Sequence, residues 1–245
     1  MKTGMTSVTF RGKSVEEVVS ITKEANLTGI EWGGDVHVPH GDVKRAREVK
    51  NLCRDADIRI PEYGSYYILG QSERDLYKKV LDSCAALECD TVRVWPLQGK
   101  SSDCVPSSLY EKCVEDARYI CDENKNITVC LECHPQSLTD EYHCALQFIK
   151  DTDRKNLKMF WQPNQFKPFS YNLDAARALK SYVKSVHTFS WKREMHYPLA
   201  ALENEWKEYV SILGNNKNYM LEFMHDGKTE SLKAAAETLR NICRE

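Results

Sequence analysis

Apolar and polar positions along the chain repeat in two alternating patterns. Short runs rich in β-branched and aromatic residues are followed by longer segments in which apolar residues recur every three or four positions. The first pattern predicts buried strands and the second predicts amphipathic helices. Eight strand–helix pairs can be counted, and the predicted strands cover residues 7–10, 29–32, 58–60, 91–95, 127–132, 158–162, 183–187 and 219–223.

This alternation predicts the α/β class and a parallel sheet, and eight repeats predict closure into a single (β/α)8 TIM barrel. The length of 245 residues matches the ~250 residues usual for one such barrel. No linker or low-complexity segment divides the chain, so residues 1–245 are expected to form one domain. An open doubly wound sheet is the alternative. It would normally carry a glycine-rich first turn, where this chain has Arg-Gly-Lys-Ser.

Two helix starts carry a recognisable capping pattern. Ser14 with Glu17, and Ser108 with Glu111, have the spacing of a capping box, in which the serine and the glutamate bond each other's backbone N–H groups. Each pair lies just before or within a segment of helical period. We therefore expect a helix to begin at both places.

Composition restricts the partners and the compartment. The net charge is -2 with both signs mixed along the chain, which disfavours nucleic acid as a partner. No apolar run approaches the ~20 residues of a membrane span. The first residues, MKTGMTSVTF, lack the apolar region of a signal peptide, so we expect a cytoplasmic protein with reduced thiols. Cys130 and Cys133 lie three apart on a strand and point to opposite faces, which favours packing over a shared metal or disulfide.

Polar residues close four successive apolar strands in the second half of the chain. A buried charged or hydrogen-bonding side chain is costly unless it is paired or coordinated. In a parallel barrel the carboxyl ends of the strands meet at the catalytic face. We therefore expect the four residues to form one divalent-metal site; they are Glu132, Gln162, His187 and Glu222.

The chemistry of these four side chains suits a hard or borderline cation. Two carboxylates, an amide oxygen and an imidazole nitrogen could hold Mn2+, Co2+, Zn2+ or Mg2+, with the two negative charges balancing the ion. The alternative is that each residue is hydrogen-bonded separately within a barrel layer. Four such residues on adjacent strands favour the metal site.

The order glutamate, strand-end ligand, histidine, glutamate resembles the xylose isomerase-like TIM barrels. That group contains sugar epimerases of the tagatose and psicose type, hydroxypyruvate isomerase, inosose dehydratase and endonuclease IV. The segments GIEWGGDVHVP and LEF are also in keeping with it. The resemblance implies that Glu132 and Glu222 are the catalytic acid/base pair, and that Arg193, six residues beyond His187, meets substrate hydroxyls.

The chain departs from this family at the sixth strand. The epimerases usually carry Asp-x-x-His there, whereas this chain has Gln-Pro-Asn-Gln at residues 162–165. A carboxylate ligand and a substrate-contacting imidazole are thus both replaced by amides. We expect Gln165 to contact substrate in place of the imidazole, and metal affinity to be lower.

Three further side chains are expected to contact substrate. His134 lies two residues after Glu132 and so on the same strand face. His37 follows the second strand, together with Glu31 and Asp35, on the catalytic side. Trp191 could form a pocket wall by stacking on the apolar face of a sugar.

The leading hypothesis is a metal-dependent isomerase or epimerase of a small carbohydrate or keto-sugar. It would act through proton abstraction and a metal-stabilised enediolate, with two glutamates moving the proton. The alternatives are a lyase or dehydratase acting on a keto-sugar or cyclitol through the same enolate, favoured if His134 is a leaving-group acid, and a non-catalytic carbohydrate-binding barrel with a degenerate metal site. A homo-oligomer is compatible with all of them.

Overall fold

Eight parallel strands close into a barrel in the computed structural model, which describes residues 2–244. Strand β1 pairs with both β2 and β10, so the sheet has no free edge. The barrel strands are β1 (Lys2–Thr6), β2 (Gly29–Gly33), β3 (Arg59–Ile68), β4 (Thr91–Trp95), β5 (Thr128–Glu132), β6 (Leu157–Trp161), β7 (Val183–Thr188) and β10 (Asn218–Leu221). A short antiparallel hairpin, β8 (Trp191–Lys192) with β9 (Met195–His196), follows β7.

Helices surround the barrel and return the chain to its amino-terminal end. They are α1 (Val15–Glu24), α2 (Val43–Asp55), α3 (Arg74–Leu87), α4 (Ser107–Glu123), α5 (Tyr142–Thr152), α6 (Phe169–Leu179), α7 (Glu203–Leu213) and α8 (Leu232–Arg244). Each buries an apolar stripe against the strands, as Val80 and Leu87 do in α3. The predicted (β/α)8 barrel is confirmed.

One of the two predicted capping boxes is present. The Ser14 hydroxyl accepts from the Glu17 backbone N–H at 3.2 Å, and the Glu17 carboxylate accepts from the Ser14 N–H at 2.7 Å. The prediction at Ser108 and Glu111 is wrong. Helix α4 begins at Ser107 after Pro106, so Ser108 already lies inside the first turn and makes no cap.

The predicted first strand, residues 7–10, is also wrong. Those residues form a 3-10 turn, and β1 is the preceding segment, which has little strand-like composition. Close packing explains the glycine in the middle of β1. A Cβ at Gly4 would lie 2.4 Å from the Gly29 carbonyl oxygen and 2.9 Å from the Met220 sulfur. Glycine generally weakens the interior of a strand, but a larger residue would not fit at this position.

Two other strand boundaries affect the barrel interior. Strand β3 runs to Ile68, well past the predicted end at residue 60, and carries Glu62 into the core with no exposed surface. The last strand ends at Leu221, so Glu222 stands just beyond it.

Among the described residues, no helix is long and apolar enough to cross a bilayer. The ten cysteines are free; Cys130 is buried and Cys133 is half-buried.

Candidate active site

The four side chains expected to bind metal lie together at the carboxyl end of the barrel. Glu132 closes β5, His187 is on β7, and Gln162 and Glu222 directly follow β6 and β10. One ligand atom from each of Glu132, His187 and Glu222 lies within 4.8 Å of the others. His187 Nδ1 is 3.4 Å from Glu132 Oε1 and 3.6 Å from Glu222 Oε2.

A cavity of about 240 Å³ lies at the same end of the barrel, and Glu132, Gln162 and Glu222 are part of its wall. The rest of the wall is largely aromatic. Trp191 stacks on Phe223 with ring centroids 5.4 Å apart. The aromatic wall residues are Tyr66, Trp95, Phe189, Trp191 and Phe223. The cavity has the mix of flat apolar surface and few polar groups typical of small-ligand sites.

Two buried polar atoms in this group have no hydrogen-bond partner. They are Gln162 Oε1 and His187 Nδ1, and the contacts of the latter with the two carboxylates are not hydrogen bonds. Leaving a buried polar atom unsatisfied costs about 1–3 kcal/mol. Both atoms can carry a lone pair; His187 Nδ1 stands beside carboxylate oxygens, and Gln162 lines the same cavity as Glu132 and Glu222. The donor set therefore fits a divalent cation of the Mn2+, Co2+, Zn2+ or Mg2+ kind.

Two of these residues also belong to a closed ring of four charged side chains, which we call the charged ring: Glu31, Arg93, Glu132 and His187. Arg93 Nη1 donates to Glu132 Oε2 at 2.6 Å, and Arg93 Nε lies 3.4 Å from Glu31 Oε1. His187 Nε2 donates to Glu31 Oε2 at 2.8 Å. Every member is at most 4% exposed. Strands β2, β4, β5 and β7 are thereby linked across the barrel mouth.

The charged ring makes the two candidate catalytic glutamates different. Burial opposes ionisation of Glu132, but the adjacent Arg93 and His187 charges outweigh it and hold its pKa well below the ordinary range. Burial raises the pKa of Glu222 to about 7. The charge of His187 lowers this pKa, and the charges of Glu132 and Glu31 raise it and so offset part of that lowering. Glu132 is therefore held ionised, whereas Glu222 titrates near neutral pH.

The histidine responds to the same carboxylates. Burial alone would lower the pKa of His187, but the charges of Glu222 and Glu31, followed by the contacts with Glu132, raise it well above its ordinary value. A cation in this position, whether a proton or a metal, therefore neutralises an excess of negative charge.

Three of the five side chains expected to contact substrate line the cavity: His134, Gln165 and Trp191. His134 Nδ1 lies 2.7 Å from the Pro135 carbonyl oxygen, and its ring meets Trp95 edge-on at 4.6 Å. A carbonyl can only accept, so Nδ1 carries the hydrogen and the lone pair of the neutral ring is on Nε2.

The structure does not bring His37 and Arg193 to the cavity wall. His37 is buried, with Nδ1 3.1 Å from Ser7 Oγ and Nε2 3.1 Å from the Lys13 carbonyl oxygen. Its ring therefore links the β2–α2 loop to the segment between β1 and α1. Arg193 is exposed in the turn of the β8–β9 hairpin, where φ is 54°, and it lines a neighbouring groove. Neither residue lines this cavity, and substrate contact by His37 and Arg193 stays a prediction.

Sequence reasoning gave no role to Glu31 and missed Arg93. A signal for both exists in the chain, because each is a lone charge inside a run of buried strand residues, GIEWG and TVRVW. A charge in such a run must be paired. Glu62 was missed because its segment was not expected to be strand.

Comparison with known proteins agrees with this architecture. Residues 19–242 match the family described as xylose isomerase-like TIM barrel. The chain belongs to this family. A 3-dehydroshikimate dehydratase from Bacillus anthracis is 24% identical over 234 residues, which cover 89% of this chain and 78% of the relative.

Solved structures with the same fold include two kinds of enzyme. The probable 3-DHS dehydratase of petrobactin synthesis from Bacillus anthracis superposes with a TM-score of 0.82 at 19% identity over 100% of both chains. D-psicose 3-epimerase from Clostridium cellulolyticum H10 superposes with a TM-score of 0.77 at 16% identity over 99% of both. The named relatives are enzymes, and this member of the xylose isomerase-like family is an enzyme as well.

Proposed function

We propose that this xylose isomerase-like barrel is a divalent-metal-dependent isomerase or epimerase of a small carbohydrate or keto-sugar. The observation that carries the proposal is the pair of unpartnered buried atoms, Gln162 Oε1 and His187 Nδ1. His187 lies next to the Glu132 and Glu222 carboxylates, and Gln162 lines the same cavity as those two glutamates. These four side chains would hold the ion. When bound, it would polarise a substrate carbonyl and a neighbouring hydroxyl and so lower the cost of forming an enediolate.

The protein's own groups supply the proton transfers. Within residues 2–244 Glu222 forms no ion pair with an arginine, and its pKa of about 7 suits a general base at physiological pH. Glu132 is ionised and has one oxygen bound by Arg93, so it favours the ligand role. In an epimerisation Glu132 would also have to exchange a proton on the opposite face of the substrate. The unequal surroundings of the two carboxylates support unequal rates for the two proton transfers.

The cavity wall favours a ligand with both flat apolar faces and oxygen atoms. Trp95 and Trp191 line it, and the indole N–H of each is buried without a partner. Each could donate to a substrate oxygen while its ring covers carbon-bound hydrogens. The volume of about 240 Å³ suits a small molecule.

The test combines metal analysis with solvent exchange. Protein purified without chelators should carry one equivalent of a divalent ion, and keto-sugars incubated with it in D2O should gain deuterium at the carbon beside the carbonyl. Chelation should stop the exchange and Mn2+ should restore it. If the protein carries no metal and none of the tested keto-sugars exchanges a proton, a non-catalytic carbohydrate-binding barrel would be the better interpretation.

Variants of the two glutamates test the roles assigned to them. Glu222→Gln keeps an oxygen donor but removes the base, so exchange should fall by about 10²–10⁴. Glu132→Gln should mainly weaken metal binding, and saturating metal should recover much of the exchange. Glu62→Gln is the matched control, because Glu62 is equally buried but does not line the cavity. Near-wild-type exchange in metal-loaded Glu222→Gln would contradict the assignment.

A dehydratase is the second candidate, and His134 is the observation that favours it. Its Nε2 lone pair belongs to a ring that lines the cavity close to Glu132 in the chain. That nitrogen could take the proton from carbon and return it to a departing β-hydroxyl, so that C–H and C–O bonds break, a C=C bond forms and water leaves. The 24% identical dehydratase relative supports considering this reaction.

Product analysis separates the two reactions. A dehydratase converts a β-hydroxy ketone into a conjugated enone, which is detected by ultraviolet absorbance, whereas an epimerase leaves the absorbance unchanged. If the protein is a dehydratase, the substitution His134→Phe should abolish the new absorbance, although it preserves the ring packing against Trp95. Epimerised product without absorbance change would exclude elimination for that substrate.

A further inference from the structure

We infer that Glu31 and Arg93 are positioning residues that set the orientation of His187 and Glu132 before any ligand binds. The inference rests on the proposed metal-dependent function. It assigns a role to two buried charges that the proposed reaction itself does not use. The basis is the geometry of the contacts within the charged ring.

Glu31 determines which ring nitrogen of His187 faces the other candidate ligands. A carboxylate accepts only, so the 2.8 Å contact with Glu31 Oε2 keeps the hydrogen on His187 Nε2. Nδ1 is then the atom that faces Glu132 and Glu222, at 3.4 Å and 3.6 Å. A carboxylate behind the far nitrogen of a ligating histidine is the usual device for fixing ring orientation in metal sites.

Arg93 performs the corresponding task for Glu132. It occupies Glu132 Oε2 at 2.6 Å and leaves Oε1 on the side of His187. Its Nε lies 3.4 Å from Glu31 Oε1, which ties the two positioning residues to each other. Each candidate ligand is thus held from the side that faces away from the shared site.

The charges of the assembly also match a dication. Glu31, Glu132 and Glu222 contribute three negative charges when ionised, and Arg93 contributes one positive charge. Gln162 contributes none. Buried charge that is not compensated is unfavourable, so the excess of two negative charges fits one divalent ion with a neutral His187.

Gly64 on β3 makes room for the charged ring. A Cβ at this position would lie 2.6 Å from Glu31 Oε1 and 2.9 Å from Arg93 Nη2. Both side chains are buried and paired within the charged ring, Glu31 through this same Oε1 and Arg93 through Nε and Nη1. Gly64→Ala should therefore displace the Glu31 and Arg93 side chains without removing any charged group from the protein.

The neighbouring Glu62 is a matched control for Glu31. The two residues are register partners on β2 and β3, and both are buried. Glu62 instead accepts from Ser185 Oγ at 2.6 Å and from Asn218 Nδ2 at 3.4 Å, and it bonds no member of the charged ring. A general disturbance of the barrel interior should affect both glutamates, whereas a positioning role should appear only at Glu31.

The experiment uses the full chain, stripped of metal by chelation, at one fixed pH. Wild type, Glu31→Gln, Gly64→Ala and Glu62→Gln are titrated with Co2+ by calorimetry, and the visible spectrum of bound Co2+ is recorded. We expect Glu31→Gln and Gly64→Ala to bind about 10–100-fold more weakly, with a changed spectrum. Glu62→Gln should match the wild type in both measurements.

A second readout does not depend on metal. In the metal-free wild type, NMR should detect a slowly exchanging His187 Nε2–H proton, because that proton is buried in the bond to Glu31. It should be lost or exchange rapidly in Gly64→Ala and persist in Glu62→Gln. Absence of Co2+ binding by the wild type would contradict the proposed function, while the NMR signal would still decide the orientation of His187.

Two results would overturn the inference. One is unchanged Co2+ affinity and spectrum in both Glu31→Gln and Gly64→Ala. The other is an equal loss of affinity in Glu62→Gln, which would mean that any change in the barrel interior disturbs the site.

Discussion

Arg93→Met is the substitution that most directly tests the electrostatics of the barrel mouth. The guanidinium is 4% exposed and lies against two carboxylates that are equally buried. Methionine fills much of the same space without charge. Glu31 and Glu132 would then face Glu222 and His187 with no permanent cation among them.

The expected magnitude follows from the burial of the pair. Removing one partner of a buried ion pair costs about 3–5 kcal/mol, because the remaining charge stays buried without compensation. For a chain of this size, 1 kcal/mol corresponds to about 2–4 °C in Tm. The metal-free variant should therefore melt about 6–20 °C below the metal-free wild type at neutral pH.

Thermal unfolding followed by circular dichroism in the presence of a chelator measures this difference. Arg177→Met is the control, because the Arg177–Asp174 pair on α6 has a comparable length of 2.9 Å but both side chains are more than half exposed. Exposed pairs contribute about 0–1 kcal/mol, so the control should melt within a few degrees of wild type. Similar melting of Arg93→Met and Arg177→Met would refute the account of the charged ring as a strongly coupled buried network.

Three further predictions concern metal and pH. Gln162→Asp should tighten Mn2+ binding measured by calorimetry, because it adds a negative charge beside the site; weaker binding would mean that Gln162 is not a ligand. Chelation of metal-loaded wild type should lower its Tm, since an ion bound only by the folded state stabilises that state, and an unchanged Tm would argue against a resident ion. Burial and the charge of Glu31 raise the pKa of Glu62 to about 8, so the unfolded state releases this proton at lower pH than the folded state and stability falls as pH rises from about 4.5 to 8. Glu62→Gln should flatten that fall in urea titrations at several pH values, and an unchanged slope would contradict it.

The barrel and its candidate ligands could be predicted because both depend on local patterns. Alternating strand and helix periods identify the architecture without any long-range information. A polar residue that closes an apolar strand, such as His187 or Glu132, stands out because burial of an unpaired polar group is costly. The carboxyl ends of parallel strands converge by topology, so the grouping of the four residues followed from the fold.

The contacts among the charged groups could not be predicted in the same way. Whether Arg93 pairs with Glu132 or with another carboxylate depends on the tilt of the strands and on the room that Gly64 leaves by having no side chain. Neither feature is visible in the sequence pattern. The prediction of the first strand was wrong for a related reason. Gly4 is required by the close approach of β10, but a glycine weakens the local signal for a strand.

The position of the charged groups along the chain divides the candidate site between the two halves of the barrel. The four candidate donors lie on or after β5, β6, β7 and β10, whereas Glu31, Gly64 and Arg93 lie on β2, β3 and β4. The carboxyl-terminal half of the barrel thus supplies the candidate ligands, and the amino-terminal half supplies the groups inferred to orient them. A chimera that joined residues from β5 onward to the first four strands of another family member would keep every donor while exchanging its support. The candidate donors and the groups that orient them thus occupy two separate, contiguous segments of one continuous barrel.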